Sequence, residues 1–525
     1  MVAAALRQWQ RINVLGHNTH DLAVSICNLV TPSYPTICYK HTQQAVGVPG
    51  KVTATMKRTL PPKTKASNTK KRRIEIPEYH LTPSARSEDG ERIWPAPACQ
   101  VKQARDFILE WYVPPHFRGF RDSRLWSPRN TLSGLTSSDS VAAKEKTLIA
   151  PDKDADGLAS GCILRKTLIL LGLDPALISV YLLQKGGNIH GEAERAAMAA
   201  HNPTYIFVLD QGSSRSPPII NETHKALVID HHFALEDDFP EGSLHVTACN
   251  SPPVSTSSLL TYLICCELHD QLTTTCDWLC IMGTHGDLGN SLKWEPPFPD
   301  MSGTFKKYTK KAINDAVSLI NAPRRTSSYN VPAAWDALVA ASSPADLLKN
   351  RDLLDARAEV NAEVERCTHT APQFSSDAKV AVFRISSAAQ VHPVIATRWA
   401  GHLSSPKLEV VLVANEGYLP GLINFSCRVP RSARARDSPV NIIELLKGVA
   451  DRAPDPTLRK RLGESFARGH KEASGGIVPR EEFEELMAIL EVGKKSTESP
   501  TKSKKVKDSG PKQGNTLLNY FGRRE

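Results

Sequence analysis

No uninterrupted apolar run in the 525 residues approaches the roughly 20 needed to span a bilayer. The N-terminus lacks the short basic region and apolar core of a secretory signal. Cysteine is scarce: eleven residues are too dilute for a disulfide scaffold, so a reduced intracellular protein is expected. No internal repeat recurs. These absences exclude a membrane-spanning, secreted, collagen-like or wholly disordered chain. What is present suits a globular protein of two to three domains, since 41% apolar residues can fill a large core.

The formal charge of +10 is unevenly placed. Residues 1–50 are net +2, 51–73 carry nine bases and no acid, and 494–525 are net +6. The intervening 74–493 hold 44 bases and 51 acids, net −7. The basic character therefore belongs to the ends, and the pI near 9 is poor evidence for a basic binding face on the body. Lys57-Arg58 and Lys70–Arg73 flank a Pro-containing spacer, in the manner of a bipartite nuclear-import signal read by an import receptor. A solvated basic arm touching nucleic acid is the alternative.

Residues 1–55 have no clear periodicity and read as an extension, with Met56 as an alternative start. A basic disordered arm and lead-in segment follow over 56–140. From about 141 to 300, apolar strands (148–150, 178–183, 205–209, 226–229 and 245–248) alternate with helical stretches (to 171, 191–200 and 255–268). That alternation predicts an α/β fold with a parallel sheet. A helical linker over 301–375 precedes a second, smaller α/β domain over 376–492, with strands at 379–385, 408–414 and 421–426. A disordered basic tail occupies 493–525.

The chemistry lies where strands end. The first strand runs into Asp152-Lys153-Asp154-Ala155-Asp156-Gly157, three carboxylates at alternate positions. The carboxyl ends of strands are where open α/β sheets build their sites. No Glu stands twelve residues into this loop, which excludes an EF-hand. Asp210 follows a second strand, Asp230-His231-His232 a third, and Asp287 lies in Gly283–Asn290. Buried acids need partners, and several converging Asp with a His suit hard divalent ions.

These motifs resemble the four of the DHH phosphoesterase superfamily, which includes RecJ-type exonucleases, oligoribonucleases and class II inorganic pyrophosphatases. Ala150 stands where the latter two branches have a His, so the opening motif is nearer RecJ. The resemblance implies a DHH catalytic domain and two Mn²⁺ or Mg²⁺ ions bridged by Asp210. Asp152 and Asp154 would serve one ion, and Asp156, His231 and Asp287 the other. Asp210, Asp230 and His232 would be catalytic, with His232 facing the scissile phosphate. Gly469-His470-Lys471-Glu472-Ala473-Ser474-Gly475-Gly476 resembles the signature of the DHH-associated C-terminal domain, with Arg468 replacing its first Gly. Gly469, His470, Ser474, Gly475 and, from Ser426-Cys427-Arg428, Arg428 would bind substrate phosphate in the cleft between the domains. Asn250 and Ser255–Ser257 resemble a polar helix start, read as capping. His285 reads as support for the site, and Cys265, Cys266, Cys276 and Cys280 as core packing.

The tail ends with Leu517, Tyr520 and Phe521 on one face of a helical turn, following Gln513. This resembles the box that docks on the sliding clamp PCNA, with its Gln displaced by one residue. The expectation is thus a nuclear, metal-dependent RecJ-like exonuclease for single-stranded nucleic acid, DNA more than RNA, in replication or repair. A pyrophosphatase-like, exopolyphosphatase-like or oligonucleotide phosphatase is one rival. A non-catalytic scaffold like the RecJ-like subunit of the replicative helicase is the other.

Overall fold

The computed structural model describes residues 93–110 and 145–494, apart from 254, 435, 437 and 464, together with the isolated residues 84, 86 and 90. The import-like arm and the tail box (Gln513, Leu517, Tyr520 and Phe521) lie outside the described residues.

A helix that the sequence reading did not single out, α1 (Ala98–Glu110), packs Phe107, Ile108 and Leu109 into the first core. Then come β1 (Thr147–Pro151), α2 (Ala155–Leu170), β2 (Ile178–Val180), α3 (Glu192–Ala199), β3 (Tyr205–Leu209), β4 (Lys225–Asp230) and β5 (Leu244–Thr247). These strands form one wholly parallel sheet in the order β2-β1-β3-β4-β5. Both faces are covered. Ile149, Phe207, Leu209, Leu227 and Ile229 enter the larger core, while Leu148, Ala150, Ile206, Val208 and Val228 enter the opposite one. A strand buried on both sides has no solvent face to mark with polar residues, so it reads as a continuous apolar run. Strand β2 stops at Val180, short of the expected Leu183. Beyond it the Tyr181 hydroxyl donates to the buried carboxylate of Glu194, which also accepts from the Gln184 N–H.

Helices α4 (Ser257–Cys266) and α5 (Asp277–Leu288) complete the first layer. The segment expected as a linker supplies α6 (Lys310–Ile320), α7 (Val331–Ala340) and α8 (Arg351–Thr368). It is helical as expected but is no free spacer, since Ile313, Leu319, Leu338 and Leu353 lie in the same core as α1, α2 and α5.

The second domain has β6 (Gln373–Phe374), β7 (Val380–Ile385), α9 (His392–His402), β8 (Val410–Leu419), β9 (Leu422–Arg428), α10 (Ile442–Ala450), β10 (Arg468–His470), β11 (Ala473–Pro479) and α11 (Arg480–Ile489). Its sheet is mixed, in the order β10-β11-β9-β8-β7-β6, and only β7 and β8 run parallel. The glycine-rich signature is therefore a β-hairpin rather than a loop. No helix among the described residues is long and apolar enough to cross a membrane.

Candidate metal centre

The chain leaves β1 and turns directly into α2. The Asp152 N–H donates to the Leu209 carbonyl at 2.9 Å, which ties this turn to β3. Asp154 caps α2: its Oδ1 accepts from the Asp156 and Gly157 N–H groups at 3.0 and 3.3 Å. Such a cap contributes about 1 kcal/mol. It also leaves Oδ2 facing the Arg324 guanidinium at 3.7 Å.

Asp156 is fully buried and performs a long-range task. Its two oxygens accept from the Ser257 and Ser258 N–H groups, at 2.8 and 3.0 Å, at the start of α4. Helix-start donors have no partner within their own helix, and the helix dipole favours a carboxylate there. The hydroxyl of Thr256 caps the same helix through the Leu259 N–H, as the capping reading expected.

Asp210 follows β3 with φ 62° and is almost completely buried. His231 follows β4, and its Nε2 lies 3.1 Å from Asp287 Oδ2, 3.3 Å from Asp210 Oδ1 and 3.8 Å from Asp156 Oδ2. Among the described residues, neither ring nitrogen of His231 nor Asp210 Oδ1 has a hydrogen-bond partner of acceptable geometry. Asp230 has a different office. Its Oδ1 accepts from the His231 N–H at 2.7 Å and meets His232 Nδ1 at 2.8 Å, so it is a positioning residue for the half-exposed His232 ring. Burial works against its charge, yet His232 and His231 hold Asp230 well below the ordinary carboxylate range.

Three sets of potential ligand atoms lie within 4.8 Å of one another: Asp152, Asp154 and Asp210; Asp156, Asp210, His231 and Asp287; and Asp210, His231 and His232. Asp210 belongs to all three. Burial, with Asp287 nearby, pushes Asp156 up to about 6. Burial and Asp156 likewise carry Asp210 well above the usual range. Burial opposes a charged His231, but Asp210 and Asp287 raise its pKa well above the ordinary imidazole value. Crowded carboxylates that resist joint ionisation, around orphaned buried donor atoms, fit divalent cations of the oxygen- and nitrogen-binding kind.

A pH dependence follows for the metal-free protein. Asp156 and Asp210 bind protons more tightly folded than unfolded, so their contribution to stability falls as pH rises above about 4. That of His231 is full below about 6.5 and is lost at higher pH, as its raised folded pKa is passed. Asp230 adds no opposing slope in this window, since its stabilisation is complete above about 4. Buried His285 and His392, held neutral well below the ordinary imidazole range, act in the opposite sense, and they cancel when the protein is compared with and without metal. The stabilisation that Mn²⁺ confers on EDTA-treated protein is therefore expected to grow by on the order of 2–3 kcal/mol between pH 4 and 8. Urea titrations with and without Mn²⁺ at the two pH values measure this, and a Mn²⁺ stabilisation no larger at pH 8 than at pH 4 contradicts it.

The second domain faces this centre. His470 lies on β10, with its ring stacked on His232 at 5.8 Å and 19°. The preceding Gly469 has φ 104°, and a Cβ there would sit 2.7 Å from the Ala473 carbonyl oxygen, so the hairpin needs glycine. Ser474 is buried and donates to the Arg468 carbonyl at 2.8 Å, which closes the hairpin instead of presenting its hydroxyl to the cleft. Gly475 pairs with Ser426 across β11 and β9. Arg428, at the end of β9, donates to Ser426 Oγ at 2.7 Å and to the Cys427 carbonyl at 2.8 Å.

Sequence reasoning missed several cations. Lys153 pairs with Asp152 at 3.1 Å, and Arg324 faces Asp154. Burial and then Arg324 draw Arg325 down to about 9, and its Nε has no partner among the described residues. His392 is buried with Nδ1 likewise unpartnered, and burial, Arg428 and Arg325 depress it to about 3. The available signal was Pro323-Arg324-Arg325, a paired cation interrupting helical sequence. His285 turns away from the metal groups: Nδ1 meets Asn314 Oδ1 at 2.9 Å, and Nε2 accepts from the Trp294 indole at 3.2 Å. The cysteines among the described residues are free, and burial pushes Cys162, Cys265 and Cys266 up to about 12, the state of inert packed thiols.

Comparison with known proteins agrees with this architecture. Residues 146–284 match the DHH family, N-terminal domain. RecJ of Thermus thermophilus in complex with Mn²⁺ is similar at 17% identity and a TM-score of 0.48, over 76% of this chain and 55% of that one. This chain thus spans about half the length of that RecJ. An exonuclease RecJ bound to manganese is 19% identical, with a TM-score of 0.45, over 70% of this chain and 94% of that one. The DHH domain of a member of the s1p family of ribosomal proteins shares the fold at 12% identity and a TM-score of 0.50, over 75% and 90% of the two chains. No curated protein matches the sequence. The segment 146–284 that matches the DHH family, N-terminal domain, carries every carboxylate of the candidate metal centre except Asp287.

Proposed function

We propose that this protein is a metal-dependent phosphodiesterase that degrades single-stranded nucleic acid as an exonuclease. The observation that carries this reading is His231 Nε2 ringed by three carboxylates, two of them within 3.3 Å, with His470 of the second domain stacked over the neighbouring His232. Asp152, Asp154 and Asp210 would hold one Mn²⁺ or Mg²⁺, and Asp156, Asp210, His231 and Asp287 a second. Bound there, two such ions supply Lewis-acid polarisation of a phosphoryl group and a water nucleophile at neutral pH.

The chain's own residues orient and neutralise. Asp230 fixes the tautomer and angle of His232 by accepting at Nδ1, which leaves Nε2 to face a phosphate oxygen or the leaving group. His470 and Arg428 grip phosphate from the second domain, and Arg324 and Arg325 extend the positive lining. The body's net −7 includes the carboxylates of Asp152, Asp154, Asp156, Asp210 and Asp287, whose charge two divalent ions would largely offset. The basic arm and tail would direct the enzyme to the nucleus and to the sliding clamp, consistent with work in DNA replication or repair.

The test is a substrate panel: full-length protein with Mn²⁺ or Mg²⁺ against end-labelled single-stranded DNA, single-stranded RNA, a dinucleotide and pyrophosphate. Progressive shortening of single-stranded DNA is expected to dominate. Preference for pyrophosphate would move the protein to the phosphatase alternative, and no hydrolysis of any substrate would favour a scaffold.

A further inference from the structure

A cavity of about 290 Å³ opens between the segment leaving β2 and the turn entering α7, and no residue assigned above to the metal centre or phosphate grip lines it. Its lining is mixed, apolar at Leu182, Leu183 and Val331 and polar at Gln184, Tyr329 and Asn330. Strand β2 neighbours β1 in the sheet, so the cavity lies on the side of the metal centre served by Asp152.

Tyr329 is the unusual member. Its φ is 53°, in the left-handed region that a bulky residue adopts at a cost, and its hydroxyl is buried with no hydrogen-bond partner among the described residues. Its surroundings hold it there. The Ser327 N–H and hydroxyl both donate to Glu359 Oε1, at 3.0 and 2.9 Å, and Asn330 caps α7 through the Ala333 N–H. Tyr329 also lies within electrostatic reach of Lys153 and Asp152, which pair with each other at 3.1 Å. Backbone strain held by anchored neighbours beside an unsatisfied polar group is a feature of ligand sites.

We infer that this cavity seats the terminal nucleoside of the strand whose adjoining phosphate lies at the metal centre. The inference rests on the phosphodiesterase reading above. A lining without Lys or Arg does not suit a free anion, whereas its apolar side chains suit the face of a heterocycle, with hydroxyl and amide groups for its edge or sugar. At about 290 Å³ the cavity falls just below the usual range of ligand pockets, about 300–1,000 Å³, which is room for one nucleoside and not for a run of them. Lys153 pairs with Asp152 and is also within electrostatic reach of Tyr329, so it could meet the linking phosphate.

The experiment compares TpT with bis(p-nitrophenyl) phosphate, a diester without a nucleoside, using full-length protein with Mn²⁺. In Tyr329→Phe, the ratio of kcat/KM for TpT to that for the nucleoside-free diester is expected to fall about tenfold, carried by KM. Ser328→Trp, at an exposed rim position, should block the cavity and lower the ratio further. Calorimetric TpT binding reads the same site without turnover and should weaken in both variants. Wild-type ratio and wild-type TpT binding in both variants would overturn the cavity assignment and leave the metal-centre reading standing. Tyr329-dependent binding of TpT by a protein that hydrolyses neither diester would support the cavity and overturn the phosphodiesterase reading.

Discussion

Asp210→Asn is expected to lower metal-dependent phosphodiester hydrolysis by about 10³-fold or more, equivalent to over ~4 kcal/mol of lost transition-state stabilisation, with the fold intact. The carboxylate belongs to every candidate metal group, so its loss weakens both ion positions at once. Asparagine is the informative replacement because it preserves the shape and tolerates the positive φ of this position, where alanine would add backbone strain. The structure predicts a second, opposite effect. Asp210 Oδ1 has no hydrogen-bond partner among the described residues, and burial together with Asp156 raises its pKa. Removing that charge should leave the metal-free variant as stable as the parent at pH 8, or more so. Hydrolysis assays in Mn²⁺ and thermal unfolding with and without the ion measure the two effects. The parent should be stabilised by Mn²⁺ through mass action and the variant hardly at all. Undiminished turnover in Asp210→Asn would refute the site.

Gly157→Ala should produce the second large effect, through the backbone. A Cβ at 157 would lie 2.6–2.8 Å from the carbonyl oxygen, nitrogen and carbonyl carbon of Asp152. Main-chain atoms cannot swing aside as a side-chain tip can, so the turn carrying Asp152 and Asp154 must shift. Overpacking of this kind costs about 1–3 kcal/mol. The functional loss should exceed what that stability change implies, because a displacement of about 1 Å at a reacting centre can cost on the order of 10²-fold. Denaturant unfolding gives the first quantity, and Mn²⁺ titration followed by the hydrolysis assay gives the second. Wild-type Mn²⁺ affinity and turnover in this variant would show that the turn does not position the metal-centre carboxylates.

Much of this centre was legible before folding. Asp152, Asp154, Asp156, Asp210, His231 and Asp287 each announce themselves by standing at or near the end of an apolar run, and the structure brings them together. The hairpin of β10 and β11 was harder to read. Its strands are short and rich in glycine, a composition that weakens strand propensity, and their pairing is decided by contact with β9. The helices of 301–375 were legible as helices, but their packing was not: their apolar faces complete the core of the first domain.

What the sequence by itself determined is the parallel sheet and the line of acids along its carboxyl edge. A strand buried on both faces must be apolar throughout, and an acid directly after it must find a partner, so both features are written locally. Tertiary structure alone decided what each acid meets. Asp156 secures the start of α4 while facing His231, Asp230 serves His232, and Asp154 divides itself between its own helix and Arg324. It alone also added Arg324, Arg325 and His392, from the helical segment and the second domain, to Arg428 and His470, which the motifs had already singled out. Electrostatic and hydrogen-bonding partnerships act over a few ångströms, and residues far apart in the chain come within that range only when the two cores have packed.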